Sequence, residues 1–310
     1  MQKRGSAEPA TPSSVPWLRA DGDDTLVAVI VVMALIIGFL VGRQTAPTPA
    51  AAPVTQEAPA APEAPGAAPQ EDPAELARLA AEVTPGTRTD GPTPGADGRF
   101  DATITGPGEE ITSAEDVLKV HRRDADDPFA VGALDAPVVI SEFSDFECPF
   151  CSRFANTTEQ LILDEYVATG LVRLEWNDLP VNGPMAEDAA KAGRAAAAQG
   201  KFREYKHALY SATKDVQGHP NHTIEDFVRY AEEAGVPDLE RFRADATDGT
   251  FDEAVQEAKI YGASIGVNGT PSFFIGESYV SGAQPTEVFE QIITEELAKV
   301  ARGDVEVPEV

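Results

Sequence analysis

The motif Cys148-Pro149-Phe150-Cys151 is the feature that most constrains how this chain can fold. It directly follows an apolar run at 138–143, which predicts a buried strand, and it opens a predicted helix. A C-x-x-C pair beside a β-α-β pattern is typical of a redox centre. Residues three apart lie on one face of a helix, so the two sulfurs can form a disulfide.

The position of the pair at a helix start predicts different roles for the two cysteines. Cys148 lies where unsatisfied N–H groups and the helix dipole stabilise a thiolate, which is the reactive form. We expect Cys148 to be the exposed sulfur that forms a mixed disulfide and Cys151, one turn inside, to resolve it. Pro149 fits the first helical turn, where its missing N–H has no partner to lose.

Two other interpretations of the pair are open. An inert structural disulfide is one, although so small a loop constrains the unfolded chain little. A zinc site completed by His219 and His222 is the other, although these histidines are closer together than in typical zinc sites. The sequence has only two cysteines. We expect neither a metal nor a cofactor.

The charge balance excludes one class of partner. The chain has 310 residues, and 52 Asp and Glu against 24 Lys and Arg give a net charge of −28. Nucleic acids are bound mainly through Lys and Arg, so we expect no nucleic-acid partner.

An uncharged apolar run at 25–42 predicts a transmembrane helix that anchors the chain. Lys3, Arg4 and Arg19 precede the run, which favours a single-pass protein of the cell membrane with a cytoplasmic N-terminus and an extracytoplasmic remainder. A cleaved signal peptide, with small residues at 50–52, is the alternative. Either way, the remainder of the chain meets an environment in which disulfides persist.

A folded domain is predicted after a long linker. Residues 43–112 are rich in Ala and Pro and are expected to be flexible, apart from a marginal helix that begins at Asp72-Pro73. From Ser113 onward the pattern indicates strand, helix, strand, a helical block, a hairpin and a last helix. This order predicts an α/β domain in which a β-α-β unit and a β-β-α unit are separated by a helical insertion.

Three stretches carry a resemblance to a known family: APVVISEFSDFECPFC, QGKFREYKHALY and GVNGTPSFFIGESYVSGAQP. Together they closely resemble the DsbA-like branch of the thioredoxin superfamily, and in particular its membrane-anchored bacterial members. The resemblance covers roughly residues 124–300. It implies a thioredoxin fold with an inserted helical domain.

The resemblance also implies roles for individual residues. Thr270-Pro271 corresponds to the cis-proline loop that faces the cysteines and pairs with an extended substrate strand. Glu142 corresponds to a buried acid that relays a proton to or from the inner cysteine. Pro149 and Phe150 would contact the substrate. Strong oxidants of the family carry a His where this chain has Phe150, and Glu147 is expected to oppose a thiolate at Cys148.

The expected function is an extracytoplasmic thiol:disulfide oxidoreductase that forms disulfides in exported proteins. A disulfide reductase or isomerase, or a non-enzymatic tethered chaperone, is the alternative. Expected partners are exported clients with free cysteines and a membrane redox partner that reoxidises the pair. The expected organisation is a cytoplasmic tail (1–24), a membrane anchor (25–42), a disordered linker (43–112), a thioredoxin domain (113–303) with its helical insertion (about 183–262), and a C-terminal tail (304–310).

Overall fold

The computed structural model describes residues 71–107 and 112–307. The predicted tail at 1–24 and the predicted transmembrane helix at 25–42 lie outside these residues. Within the described part of the chain, no helix is both long and apolar enough to cross a bilayer. The helices are α1 (Pro73–Ala80), α2 (Pro149–Thr157), α3 (Pro184–Ala197), α4 (Phe202–Thr213), α5 (Ile224–Glu233), α6 (Leu239–Thr247), α7 (Asp252–Ser264) and α8 (Thr286–Arg302), and the strands are β1 (Ala130–Val131), β2 (Val138–Ser144), β3 (Val172–Asp178), β4 (Ser272–Ile275) and β5 (Ser278–Ser281).

The strands form a sheet in the order β1-β3-β2-β4-β5. β2 pairs in parallel with β3 and antiparallel with β4, and β4 and β5 form a hairpin. The parallel pair is joined by helical segments, as a crossover between parallel strands requires. The predicted α/β thioredoxin arrangement with a helical insertion between β3 and β4 is therefore confirmed.

β2 lies at the centre of the sheet and carries the chain to the cysteine motif. Each of its residues, VVISEFS, is buried, as expected for a strand covered on both faces. On one face, Phe154 of α2 packs against Phe273 of β4 and Phe289 of α8, with ring centroids 4.5 and 5.2 Å away. This aromatic cluster fixes α2, and with it the cysteines, against the sheet.

The helix that carries the cysteines continues beyond α2 in two short pieces. An α-helical segment at Glu159–Leu161 and a π-helical segment at Ile162–Val167 follow it. Gly170 has a φ of 79° and terminates the helical stretch, as its sequence position predicts.

The helical insertion packs over the end of β2 that leads to the motif. Gly193 of α3 approaches Phe146 so closely that an added Cβ would lie 2.6 Å from its ring. Phe146 in turn stacks on Trp176 of β3, with centroids 4.9 Å apart. The glycine thus allows α3 to approach the loop before Cys148. Thr223 and Asp226 form the predicted capping box of α5.

Residues 71–107 differ from the flexible linker that the sequence predicts. Leu76 of α1 is buried, and Arg302 of α8 forms an ion pair with Glu71 at 3.0 Å. Further along, Ala102 joins the core of the insertion and its carbonyl accepts a hydrogen bond from Arg194 at 2.6 Å. Within this segment α1 packs along α8. The contact joins two distant parts of the chain, so the sequence of the segment alone does not predict it.

Candidate active site

The cysteine pair lies at the end of β2 and the beginning of α2. Cys148 is the N-cap residue of α2 and Pro149 occupies the first helical turn, as the sequence predicts. The backbone N–H of Cys148 donates to the carbonyl of Asp145 at 3.0 Å, which closes the turn between strand and helix. The buried strand and the helix start therefore fix both cysteines.

Cys148 is more enclosed than the sequence suggests, because only 3% of its surface is exposed. The Thr270–Pro271 loop covers it, and the thiol donates to the Thr270 carbonyl oxygen at a distance of 3.3 Å. The Thr270–Pro271 peptide bond is cis, as the resemblance implies. The loop that the resemblance pairs with the cysteines therefore does contact them.

The surroundings of Cys148 stabilise its thiolate. A hydrogen bond from Cys151 makes the largest contribution and, together with the Thr270 side chain and the N–H groups of Cys151 and Phe150, lowers the pKa of Cys148 to about 6. Burial acts in the opposite direction but is outweighed. Most Cys148 is therefore a thiolate at neutral pH when the pair is reduced.

Cys151 has the opposite environment. It is fully buried, and burial followed by its interactions with Cys148 raises its pKa well above the ordinary value. The Ser144 side chain and the Asp145 backbone oppose this increase only partly. Both cysteines are free thiols in the structure. Cys148 is thus suited to be the nucleophile and Cys151 to hold a proton.

The carboxylate of Glu142, the acid that the resemblance implies, is buried on β2. Its Oε2 accepts a hydrogen bond from Lys206 Nζ at 2.7 Å, and the same Nζ contacts Glu159 Oε1 at 2.7 Å. Burial raises the pKa of Glu142, an effect that Lys206 opposes and Glu159 reinforces. Burial would lower the pKa of Lys206, but the two carboxylates raise it. Two acids thus share one cation.

A serine lies on the same strand as this carboxylate. Ser144 follows Glu142 by two residues on β2, so both side chains lie on the same face. The Ser144 side chain lowers the pKa of both Glu142 and Cys151, and its hydroxyl lies 3.3 Å from the Tyr210 hydroxyl. The sequence analysis missed Ser144, although its i+2 spacing from Glu142 on a predicted strand is a signal that could have found it.

Glu147, the residue before Cys148, is bound by the helical insertion. Its buried carboxylate points to the loop before α5, where it accepts hydrogen bonds from the backbone of Asn221 at 2.6 Å and from the His222 ring at 2.6 Å. Burial would raise the pKa of Glu147, but these bonds lower it. His219 contacts the Glu147 carbonyl oxygen at 2.9 Å. Among the residues that the structure describes, no group of three or more His, Cys, Asp or Glu residues could hold a metal ion.

Two apolar side chains, one in the cysteine motif and one in the loop after β3, are exposed. Phe150 is 50% exposed and its ring lies 5.0 Å from the Arg153 guanidinium. Val181, in the loop after β3, is 46% exposed. Exposed apolar residues beside a reactive sulfur form a surface suited to an unfolded chain.

Comparisons with known proteins agree with this geometry. The family model described as Thioredoxin matches residues 124–295, more than half of the chain, and one described as the DsbA N-terminal domain matches residues 52–120. The solved structure of oxidised BdbD from Bacillus subtilis shares the fold, with a TM-score of 0.51 and 19% identity over 55% of this chain and 92% of that one.

Two kinds of relatives are similar in sequence. The probable disulfide bond formation protein D of Bacillus cereus is 28% identical over 151 residues, which cover 47% of this chain and 68% of that protein. A Na(+)/H(+) antiporter, NhaA 3 of Salinispora tropica, is 34% identical over 158 residues, 49% of this chain. The match spans only 22% of the length of that antiporter.

A sheet with a C-x-x-C pair at a helix start and a cis-proline loop against it defines a thioredoxin-fold redox protein. The chain belongs to the thioredoxin family.

Proposed function

We propose that this protein is a DsbA-like thiol:disulfide oxidoreductase, which forms disulfide bonds in exported proteins through Cys148 and Cys151. The observation that carries the proposal is the opposite shift of the two thiol pKa values, down to about 6 for Cys148 and well upward for Cys151. A stabilised Cys148 thiolate favours the reduced pair, and a pair that favours its reduced form gives up its disulfide readily.

The reaction starts from the oxidised pair. A client thiolate attacks the Cys148 sulfur, the Cys148–Cys151 bond breaks, and Cys151 leaves as a thiolate that takes up a proton. A second client thiolate then attacks the client sulfur of the mixed disulfide, and Cys148 leaves as a stabilised thiolate. The client loses two electrons and gains a disulfide, and the cysteine pair gains the two electrons.

Glu142 is proposed to supply the proton that Cys151 takes up, with Ser144 as the link between them. Lys206 and Glu159 continue this path to a groove of about 420 Å³, whose lining includes both side chains. A bound client would cover the Cys148 side of the pair, so a separate path to solvent would keep proton exchange possible.

Clients are proposed to bind across the Cys148 opening. The backbone of Thr270, beside Pro271, would pair with an extended client segment. Phe150 and Pro149 would provide apolar contact from the helix start. Because many unfolded segments satisfy such contacts, the surface suits a range of clients with free cysteines.

The location and the redox partner are part of the same proposal. An anchor at 25–42 would hold the domain outside the cytoplasm, where a membrane partner could accept two electrons from the reduced pair and so restore the disulfide. Residues 43–70 would serve as the extended spacer.

A reductase or isomerase on the same scaffold is the second candidate. Phe150 favours it, because a residue that cannot become a cation stands where strong oxidants of the family have a His. The equilibrium reduction potential of the purified full-length chain against glutathione separates the two. A value near about −120 mV supports the oxidase, and one near about −270 mV favours the reductase.

Trapping of clients in cells tests the cysteine roles. A Cys151→Ser chain should accumulate mixed disulfides with exported proteins: its Cys148 thiolate attacks a client disulfide and releases a client thiolate, and no Cys151 thiol is present to break the mixed disulfide. Cys148→Ser is the matched control and should trap none. Equal trapping by the two variants would contradict the assignment, and no trapping by either would favour a non-enzymatic chaperone.

A further inference from the structure

The loop between β3 and α3 contacts the cis-proline loop through one side chain. Asn182 Nδ2 donates to Thr270 Oγ1 at 3.0 Å and to Asp145 Oδ2 at 2.7 Å. An amide NH₂ group has two hydrogens. Both are used here, one on each partner.

Asp145 holds Asn182 in this orientation. Its Oδ2 also accepts the backbone N–H groups of Val181 at 2.8 Å and Asn182 at 2.9 Å, and its Oδ1 accepts the N–H of Glu147 at 2.8 Å. Asp145 is 2% exposed, so its carboxylate is a rigid acceptor rather than a solvated one. The loop and the turn before Cys148 are thereby tied to one carboxylate.

The consequence concerns the Thr270 hydroxyl. Because Thr270 Oγ1 accepts a hydrogen from Asn182, its own hydrogen is available for another acceptor. The backbone of Thr270 already lies against Cys148, with its carbonyl 3.3 Å from Sγ. The Thr270 side chain contributes to the lowered pKa of that thiol.

We propose that Asn182 is a positioning residue, which directs the Thr270 hydroxyl toward Cys148 Sγ and so makes the pair more oxidising. The inference rests on the proposed function, in which Cys148 is the attacked sulfur and the stabilised leaving group. In this proposal, the Thr270 hydroxyl partly replaces the stabilisation of the thiolate that a cation at position 150 would give. The hydrogen-bond donor, the Asn182 amide, comes from the start of the helical insertion and not from the cysteine motif.

Other titratable groups near Cys148 remain in place in the variants that test this. Cys151 faces it from α2, Asp145 lies in the preceding turn, and Glu147 with His222 lies between that turn and the insertion. Asn182→Ala also removes the amide hydrogen bond to Asp145, so Thr270 variants are needed to separate the effect through Thr270 from the effect through Asp145.

The experiment measures two quantities on the reduced and oxidised full-length chain: the Cys148 pKa, from thiolate absorbance against pH, and the equilibrium constant with glutathione. Asn182→Ala should raise the pKa by about half a unit to one unit. It should shift the equilibrium about threefold to sixfold toward the disulfide, or about 14 to 23 mV. Asn268→Ala is the control, because its amide contacts the Gly266 carbonyl at 2.9 Å and should change neither value.

Asn182→Ala in a Thr270→Val background distinguishes two explanations: loss of the orientation of the Thr270 hydroxyl, and a general loosening of the cis-proline loop. If Asn182 acts through the hydroxyl, Asn182→Ala should have no further effect on either quantity once that hydroxyl is gone. In a Thr270→Ser background the effect should return. An unshifted pKa in Asn182→Ala, or a shift that persists in the Thr270→Val chain, would overturn the inference. Failure of the proposed function would instead appear as a thioredoxin-like potential in the unaltered chain.

Discussion

The two sides of the cysteine pair have opposite environments although the sulfurs are three residues apart. On the outer side, Cys148 faces the Thr270 loop and helix N–H groups, and its pKa falls to about 6. On the inner side, Cys151 is fully buried next to Ser144, and its pKa rises well above the ordinary value. The spacing of the motif permits a disulfide, but the surroundings give each sulfur a separate task.

The two sides are also built from different parts of the chain. The outer side consists of loops: the turn before α2, the loop after β3 and the loop before β4. The inner side consists of the central strand β2 and helix α4, which contributes Lys206. Loops can change contacts without loss of the fold, whereas a buried ion pair cannot. The inner side should therefore control stability and the outer side reactivity.

The sharpest test of this contrast is Lys206→Met. It leaves Glu142 and Glu159 without their shared cation, and removing one partner of a buried ion pair typically costs about 3–5 kcal/mol. Urea unfolding of the full-length chain should show that loss. Lys201→Met, which removes an exposed pair with Glu204, should cost less than about 1 kcal/mol. Similar losses of unfolding free energy in Lys206→Met and Lys201→Met would contradict a special role of the inner side in stability.

The pH dependence of stability probes the outer side. Because the folded-state pKa of Cys148 is about 6 and the thiol pKa in an unfolded chain is about 8.5, its ionisation stabilises the folded reduced protein. This contribution is complete above the unfolded value and is lost as pH falls toward 6, with a total of about 3 kcal/mol. The oxidised protein has no such thiol and is the control. Relative to the oxidised form, the reduced form should therefore lose unfolding free energy as the pH falls from 9 to 5. A difference that does not change with pH would contradict the lowered pKa of Cys148.

Glu142→Gln tests whether the inner side also handles protons. The amide keeps the shape of the side chain but cannot exchange a proton with Cys151. We expect attack on the Cys148–Cys151 disulfide by a model dithiol to slow on the order of a hundredfold. Glu204→Gln, on the exposed face of α4, should leave the rate unchanged. An unaltered rate in Glu142→Gln would leave the inner carboxylate with a structural role only.

The sequence predicts the elements on which both sides are built. The apolar start of β2, the proline in the first turn of α2 and the order of the remaining elements are local patterns, and the structure has them. The cis bond at Thr270–Pro271 was implied by the resemblance. These features depend on residues close together in the chain, where periodicity and helix-start signals apply.

The partners of these elements could not be predicted in the same way. Lys206 lies 64 residues after Glu142 in a helix, where a lysine usually faces solvent. Its burial depends on how the insertion packs over α2. Asn182 and Asp145 meet only because β3 runs parallel to β2, so that the two strands end at the same edge. Residues 71–107 likewise pack on distant parts of the chain, since α1 contacts α8.

The smallest expected effect concerns Phe150, an exposed side chain on the outer side. Phe150→Ala removes apolar contact area that only a bound client would bury, so we expect the KM for an unfolded client to rise about threefold to tenfold. The reduction potential should stay the same, because the ring contributes no charge and the Phe150 backbone N–H is retained. Ile260→Ala, which removes an exposed apolar side chain from α7, is the control and should leave KM unchanged. If Phe150→Ala instead shifted the reduction potential and left KM unchanged, Phe150 would act on the Cys148 thiolate and not on client binding. Binding and reactivity on the outer side could then not be separated.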